Sequence, residues 1–125
     1  MKMRDIKQLD DKDEDLADDL ISLGMTRPVA RTLCFLRDMN EATSVELESG
    51  TGLRQPEVSI VMKQLEQYDW INEREEKKPG KGRPYKIYSL KVGFNGIIDH
   101  LEKQRKKEFN ETMAIIKRLT EFGKD

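Results

Sequence analysis

Arg54, Gln55, Ser59 and Lys63 are the side chains whose types and spacing best suit contact with a ligand. Gln55, Ser59 and Lys63 recur every four residues, so a helix aligns them on one side. An amide, a hydroxyl and an ammonium in line, with a guanidinium just ahead, match the donors and acceptors of base edges and phosphates. Arg54 suits a guanine or a phosphate, Gln55 an adenine, Ser59 either a base or a phosphate, and Lys63 a phosphate. Ile60 flanks this face, where it fits a thymine methyl or else packs on the preceding helix. Glu57 is the awkward neighbour: a carboxylate repels phosphates, although it accepts from a cytosine amino group. A second concentration lies at residues 77–91, with six basic side chains (Lys77, Lys78, Lys81, Arg83, Lys86, Lys91) and no acidic one. Those around the two glycines read as a loop that lays charge along a minor groove or its phosphates, or as a plain solvated charge run. Ser44, with Thr43, opens a short helix whose hydroxyls and backbone amides suit one phosphate; simple capping is the alternative.

Other chemistries lack their residues. A single cysteine, Cys34, sits in LCFL among core-type residues and reads as buried filler rather than a redox sensor. With that cysteine and one histidine, His100, a soft-metal site would need residues from two copies. No phosphate-cradling glycine loop follows a strand, and no Ser/His/Asp set with an elbow motif is present. The expectation is a protein that is not an enzyme and carries no cofactor.

The 125 residues have a formal net charge of −1, which hides an asymmetry. Residues 1–50 carry 7 basic and 12 acidic side chains, residues 51–91 carry 9 and 6, and residues 92–125 carry 7 and 6. A phosphate-binding surface needs local positive potential, not a basic protein. The charge therefore permits a nucleic-acid partner and places it in the middle of the chain. No run of eighteen apolar residues and no secretory h-region appears, which reads as a cytoplasmic, soluble domain.

Five helices and a hairpin must position these residues. Asp10–Asp19 holds seven carboxylates in ten positions and reads as the start of a short helix ending at Gly24. Thr26 looks like the N-cap of a second helix over 27–39, with Val29, Leu33 and Leu36, joined by Phe35 and Met39, as its buried stripe. Thr43 with Glu46 has capping-box spacing for a third helix, with Val45 and Leu47 apolar and Gly50 or Gly52 ending it. Gln55-Pro56-Glu57 opens the fourth, with Val58, Val61, Met62, Leu65 and Tyr68 on its inner side. Two strands, 70–75 and 85–90, flank a Gly- and Pro-rich tip and make a β-hairpin. The last helix, over about 94–122, would span about 43 Å, more than a domain of this size covers with its own core. Its stripe, with Ile98, Leu101, Phe109, Ile116 and Leu119, needs a partner.

Helix, helix, turn, helix and a basic-tipped hairpin is the order of a winged helix-turn-helix domain. The stretch TSVELESGTGLRQPEVSIVMKQLEQYDWI, Thr43–Ile71, resembles the helix-turn-helix of the MarR, ArsR and TrmB-type regulators. Those families place an apolar residue at the end of the turn (Leu53), Val-Ser in the recognition helix and a Leu-x-x-Leu-like pair (Met62, Leu65). LGMTRPVARTLCFL resembles the opening helix of archaeal TrmB-like proteins, so the resemblance covers residues 20–91. Asp69 departs from the glycine usual before the wing, and Ile60 from the polar residue usual on the DNA side. Asp tolerates the left-handed backbone better than most residues.

The expected architecture is mainly α with a small β-hairpin wing: an acidic N-terminal helix (1–24), a winged helix-turn-helix DNA-binding domain (25–91) and a C-terminal dimerisation helix (92–125). The resemblance implies a homodimer built from terminal helices, acting as a transcriptional regulator that reads an inverted repeat in double-stranded DNA. It also leaves room for an unidentified small-molecule effector in a dimer cleft. The rival reading is a winged helix used as a protein-interaction module, docking on transcription machinery through the acidic N-terminus.

Overall fold

The computed structural model describes residues 8–77, 80, 82 and 84–124. In chain order they form α1 (Asp11–Ser22), α2 (Arg27–Asp38), β1 (Ala42–Thr43), α3 (Ser44–Thr51), α4 (Gln55–Gln67), β2 (Ile71–Glu76), β3 (Tyr85–Leu90) and α5 (Phe94–Phe122). They divide into two units, Met1–Gly93 and Phe94–Asp125.

In the first unit α2 is the central helix. Val29, Ala30, Thr32, Leu33, Cys34, Phe35 and Leu36 are all buried, which leaves it few outward positions. Neighbours explain this, because α2 lies against α1, α3, α4 and β3. A helix covered on most sides must be apolar on most sides. Thr32 is tolerated there because its hydroxyl donates to the Pro28 carbonyl at 2.8 Å. Met39, expected in the stripe, is the half-exposed residue that ends the helix. Thr26 precedes the helix in an extended conformation, but its side chain makes no capping bond. Pro28 in the first turn removes one donor that a cap would otherwise have to satisfy.

The acidic run opens α1 through a capping box. The Asp10 carboxylate accepts from the Asp13 backbone N–H at 2.9 Å, and the Asp13 carboxylate accepts from Asp10 N–H at 3.0 Å. Asp13 is buried, with the Arg37 guanidinium 3.5 Å away on α2. Ala17 and Leu20 join the core on the same side, so α1 is packed onto α2 within this unit.

A short strand escaped the sequence reading. The hairpin becomes a three-stranded antiparallel sheet in the order β1-β3-β2. Ala42 pairs with Tyr88 and Thr43 with Ile87, while β2 pairs with β3 from Ile71–Leu90 to Glu76–Tyr85. Two residues are too few for any period to show. Trp70, Ile71, Ile87 and Tyr88 are buried at this sheet.

The second unit is α5, 29 residues long. Ile97 and Leu101 are buried, whereas Ile98 is 36% exposed, Phe109 and Leu119 are each 64% exposed and Ile116 is 47% exposed. Residues 102–108 (EKQRKKE) hold no apolar side chain, and beyond them Met113, Ile115 and Phe122 add to the exposed apolar set.

Candidate nucleic-acid interface

The site is built on α3, the turn 52–54 and α4. Thr43 caps α3 as its spacing predicts: its hydroxyl accepts from Glu46 N–H at 3.1 Å, and the Glu46 carboxylate accepts from Thr43 N–H at 2.9 Å. Leu47 is the buried apolar residue of α3, but Val45 is 68% exposed rather than inside. Helix periodicity explains it, since two residues advance about 200° around the axis and cannot share a face. The two glycines of α3 have different tasks. Gly52 takes a left-handed conformation (φ +76°) and caps the helix, its N–H donating to the Glu48 carbonyl. Gly50 lets Phe35 approach: a Cβ there would stand 1.9 Å from the Phe35 ring.

Two further groups hold this corner. The Thr51 hydroxyl donates to Leu47 O at 2.6 Å and accepts from Leu53 N–H at 3.2 Å, which fixes the turn. Arg31 on α2 donates to the Thr51 carbonyl at 3.1 Å and to the Glu14 carboxylate of α1. One guanidinium thus joins α1, α2 and the end of α3. The sequence shows Arg31 only as one polar residue within an apolar helix, and nothing in its spacing marks the role.

Helix α4 buries Val58, Val61, Met62 and Leu65 and exposes most of the rest. Tyr68, expected inside, follows the last turn, is 50% exposed, and stacks on Trp70 with ring centroids 4.4 Å apart. Asp69 between them adopts φ 61°, the left-handed backbone anticipated for that position. Gln55 donates through its side-chain amide to the Ser59 hydroxyl at 3.0 Å, so the two do share one side. Ser59 is half-buried, whereas Arg54, Gln55 and Lys63 are exposed and Ile60 is 59% exposed. Glu57 turns its carboxylate back to accept from Arg54 N–H at 3.1 Å, which gives the awkward residue a structural use as a cap for α4. Among the described residues, neither Arg54 nor Lys63 stands in an ion pair.

The wing differs. Lys86 on β3 lies 3.4 Å from Glu73 on β2, and that carboxylate raises its pKa. Arg74 grips Glu41 with two nitrogens, at 2.8 and 3.1 Å, and also reaches Glu76 at 3.2 Å. Lys91 reaches both oxygens of Asp69, at 2.8 and 2.9 Å. Lys77 is exposed at the end of β2, and Lys78, Lys81 and Arg83 lie outside the described residues. Ser44 stands beside Tyr88, whose phenol pKa is raised first by burial and then by Glu73, with Lys86 and the Ser44 hydroxyl pulling the other way. Among the described residues, no group of His, Cys, Asp and Glu could hold a metal ion. None of their helices is long and apolar enough to cross a membrane. Cys34 is buried.

No family model and no curated protein matches the sequence. Solved structures do match its fold. One is described as a possible transcriptional regulator from Methanosarcina mazei (TM-score 0.64, 16% identity, 81% of this chain and 86% of that one). A second is TrmBL2, an archaeal chromatin protein with a novel mode of DNA binding (TM-score 0.64, 18% identity, 88% of this chain); the present chain spans 40% of its length. A third is an E. coli MarR variant complexed with operator DNA (TM-score 0.50, 17% identity, 91% of this chain and 86% of that one). The architecture is thus the winged helix-turn-helix found in MarR- and TrmB-type regulators, mainly helical with a small three-stranded sheet.

Proposed function

We propose that this chain is a sequence-specific, double-stranded DNA-binding transcriptional regulator that acts as a homodimer on an inverted-repeat site. The observation that carries the reading is the outer side of α4. A helix held on its inner side by Val58, Val61, Met62 and Leu65 exposes Gln55, Ile60 and Lys63, and at its head stands Arg54, which is in no ion pair among the described residues. A helix of that kind fits a major groove, where base edges are distinguishable. Arg54 and Gln55 read bases, Ser59 holds the Gln55 amide in place, and Lys63 contacts phosphate. Lys77 and the basic wing tip add backbone charge.

The dimer half of the proposal rests on α5. Phe109, Met113, Ile115, Ile116, Leu119 and Phe122 crowd its last four turns, all substantially exposed in a single chain. An apolar patch of that kind on a highly charged protein marks an association surface. Leu101, being buried already, contributes less to it than Phe109, Ile116 and Leu119. Two such chains would present two α4 helices roughly 34 Å apart, one turn of duplex.

The test is selection of bound fragments from source genomic DNA by the full chain at about 150 mM salt. A palindromic motif with half-sites one turn apart is the expected result. Retention of DNA without a motif would leave a backbone binder. No retention under any salt would sink the reading in favour of a protein-docking module that uses the acidic α1.

A further inference from the structure

The geometry of α4 points to Ile60 as a specificity residue: we infer that it reads a thymine through the 5-methyl group, so each half-site holds a T·A pair opposite it. This rests on the DNA reading above and says what that site selects. At 100° per residue the buried stripe of α4 has one mean direction, and Ile60 and Lys63 each project roughly 150° from it. Ser59 projects roughly 110° away and Gln55 roughly 70°. The outermost ridge is therefore Pro56, Ile60, Lys63 and Gln67, all exposed, with Gln55 and Ser59 to one side.

An isoleucine 59% exposed at the crest of a helix keeps most of its surface in water. Its surroundings say what covers it. Lys63 is less than one turn away and Arg54 precedes the helix, both without carboxylate partners among the described residues. Glu57, on the same helix, is turned back onto the Arg54 backbone. A polyanion with an apolar spot at its centre fits that arrangement, and in the major groove only thymine offers a methyl among the natural base edges. Ile60 has no donor or acceptor, so it contributes selection there by apolar contact alone.

The experiment uses the full chain and a duplex bearing its selected motif. Each thymine is replaced in turn by deoxyuridine, which lacks only the methyl, and binding is measured for wild type and Ile60→Ala. Burying one methyl is worth about 0.8 kcal/mol, or about four-fold in affinity. The expected result is one thymine per half-site whose replacement weakens wild type by about four-fold and Ile60→Ala not at all. Circular dichroism of Ile60→Ala should match wild type, since more than half of the residue is exposed and alanine favours the helix. A motif with no fixed T·A pair would overturn the inference while leaving the regulator intact. So would methyl losses equal in both proteins. Failure of wild type to bind any duplex would overturn the DNA reading and this one with it.

Discussion

The outer side of α4 and the strands of the wing are both rich in cations, yet they are electrostatically unlike. On α4, Arg54 and Lys63 have no carboxylate partner among the described residues. On the wing, Arg74, Lys86 and Lys91 are each held by one, from Glu41 and Glu76, Glu73 and Asp69. A free cation at an exposed site has its full attraction for phosphate; a paired one must first give up its partner. The difference assigns tasks. Under the proposed DNA reading the helix would carry the charge that meets the duplex, while the wing strands spend theirs on carboxylates of the protein itself, which leaves Lys77 and the tip for DNA.

The largest expected effect comes from removing the free cations. Arg54→Ala should weaken binding to the selected motif by about 10- to 100-fold and relax the preference at one position, as loss of a base contact does. Lys63→Ala should weaken binding to all sequences alike and flatten the salt dependence by about one unit. Fluorescence anisotropy titrations at several salt concentrations would separate the two. If Lys86→Ala proved more damaging than either, the contrast between helix and wing would be broken.

Next in size is the seat of α4. Gly50→Ala puts a methyl where the fully buried Phe35 ring lies. Overpacking of this kind costs about 1–3 kcal/mol. In a domain of this size that lowers the melting temperature by about 4–8 °C per kcal/mol. Thermal unfolding measures it, and Phe35→Leu in the same chain should restore part of the loss. A Gly50→Ala protein that melts like wild type would mean that Phe35 does not set the place of α3.

A third, smaller effect tests the wing directly. Glu73→Gln leaves Lys86 without its nearest carboxylate. Binding to DNA of any sequence should then rise on the order of 3- to 10-fold at low salt, and the salt slope should steepen by about one unit. A variant that behaves like wild type would mean that Lys86 points away from the duplex.

These contrasts also show what a sequence hides. Helix-scale features were legible: the Thr43–Glu46 capping box, the Val58–Leu65 stripe, the left-handed Asp69 and the reach of α5 all follow from spacings of three or four residues. The wing was not. Residues 77–91 contain no carboxylate, and read along the chain they look like an unopposed basic patch. Antiparallel pairing then lays β2, with Glu73, Glu75 and Glu76, beside β3 and sets Glu75 against Lys86. Charge counted in sequence windows misses neighbours that arrive by register. β1 was invisible because its two residues make a strand only by pairing with β3. On α4, the four-residue spacing found the Gln55–Ser59 pair, but the crest opposite the Val58–Leu65 stripe lies at Ile60, which a four-residue count does not pick out.

The smallest expected effect lies in alkaline solution, where the wing's pairing affects stability. The phenol of Tyr88 is held protonated beyond its ordinary value of 10.0, first by burial and then by Glu73. Lys86 is raised above its ordinary 10.5, chiefly by the same carboxylate. Both groups bind their protons more tightly folded than unfolded. Their contributions are therefore fully present below those ordinary values and fade as pH climbs through the raised ones, so the window opens near pH 10. Melting temperature should fall as pH rises from about 10 to about 11.5 in wild type. Tyr88→Phe, which cannot ionise, should fall less, by about 2 °C over the same range. Equal slopes would mean that Tyr88 is not held neutral by burial and Glu73, and the wing's carboxylate would then act on its cations alone.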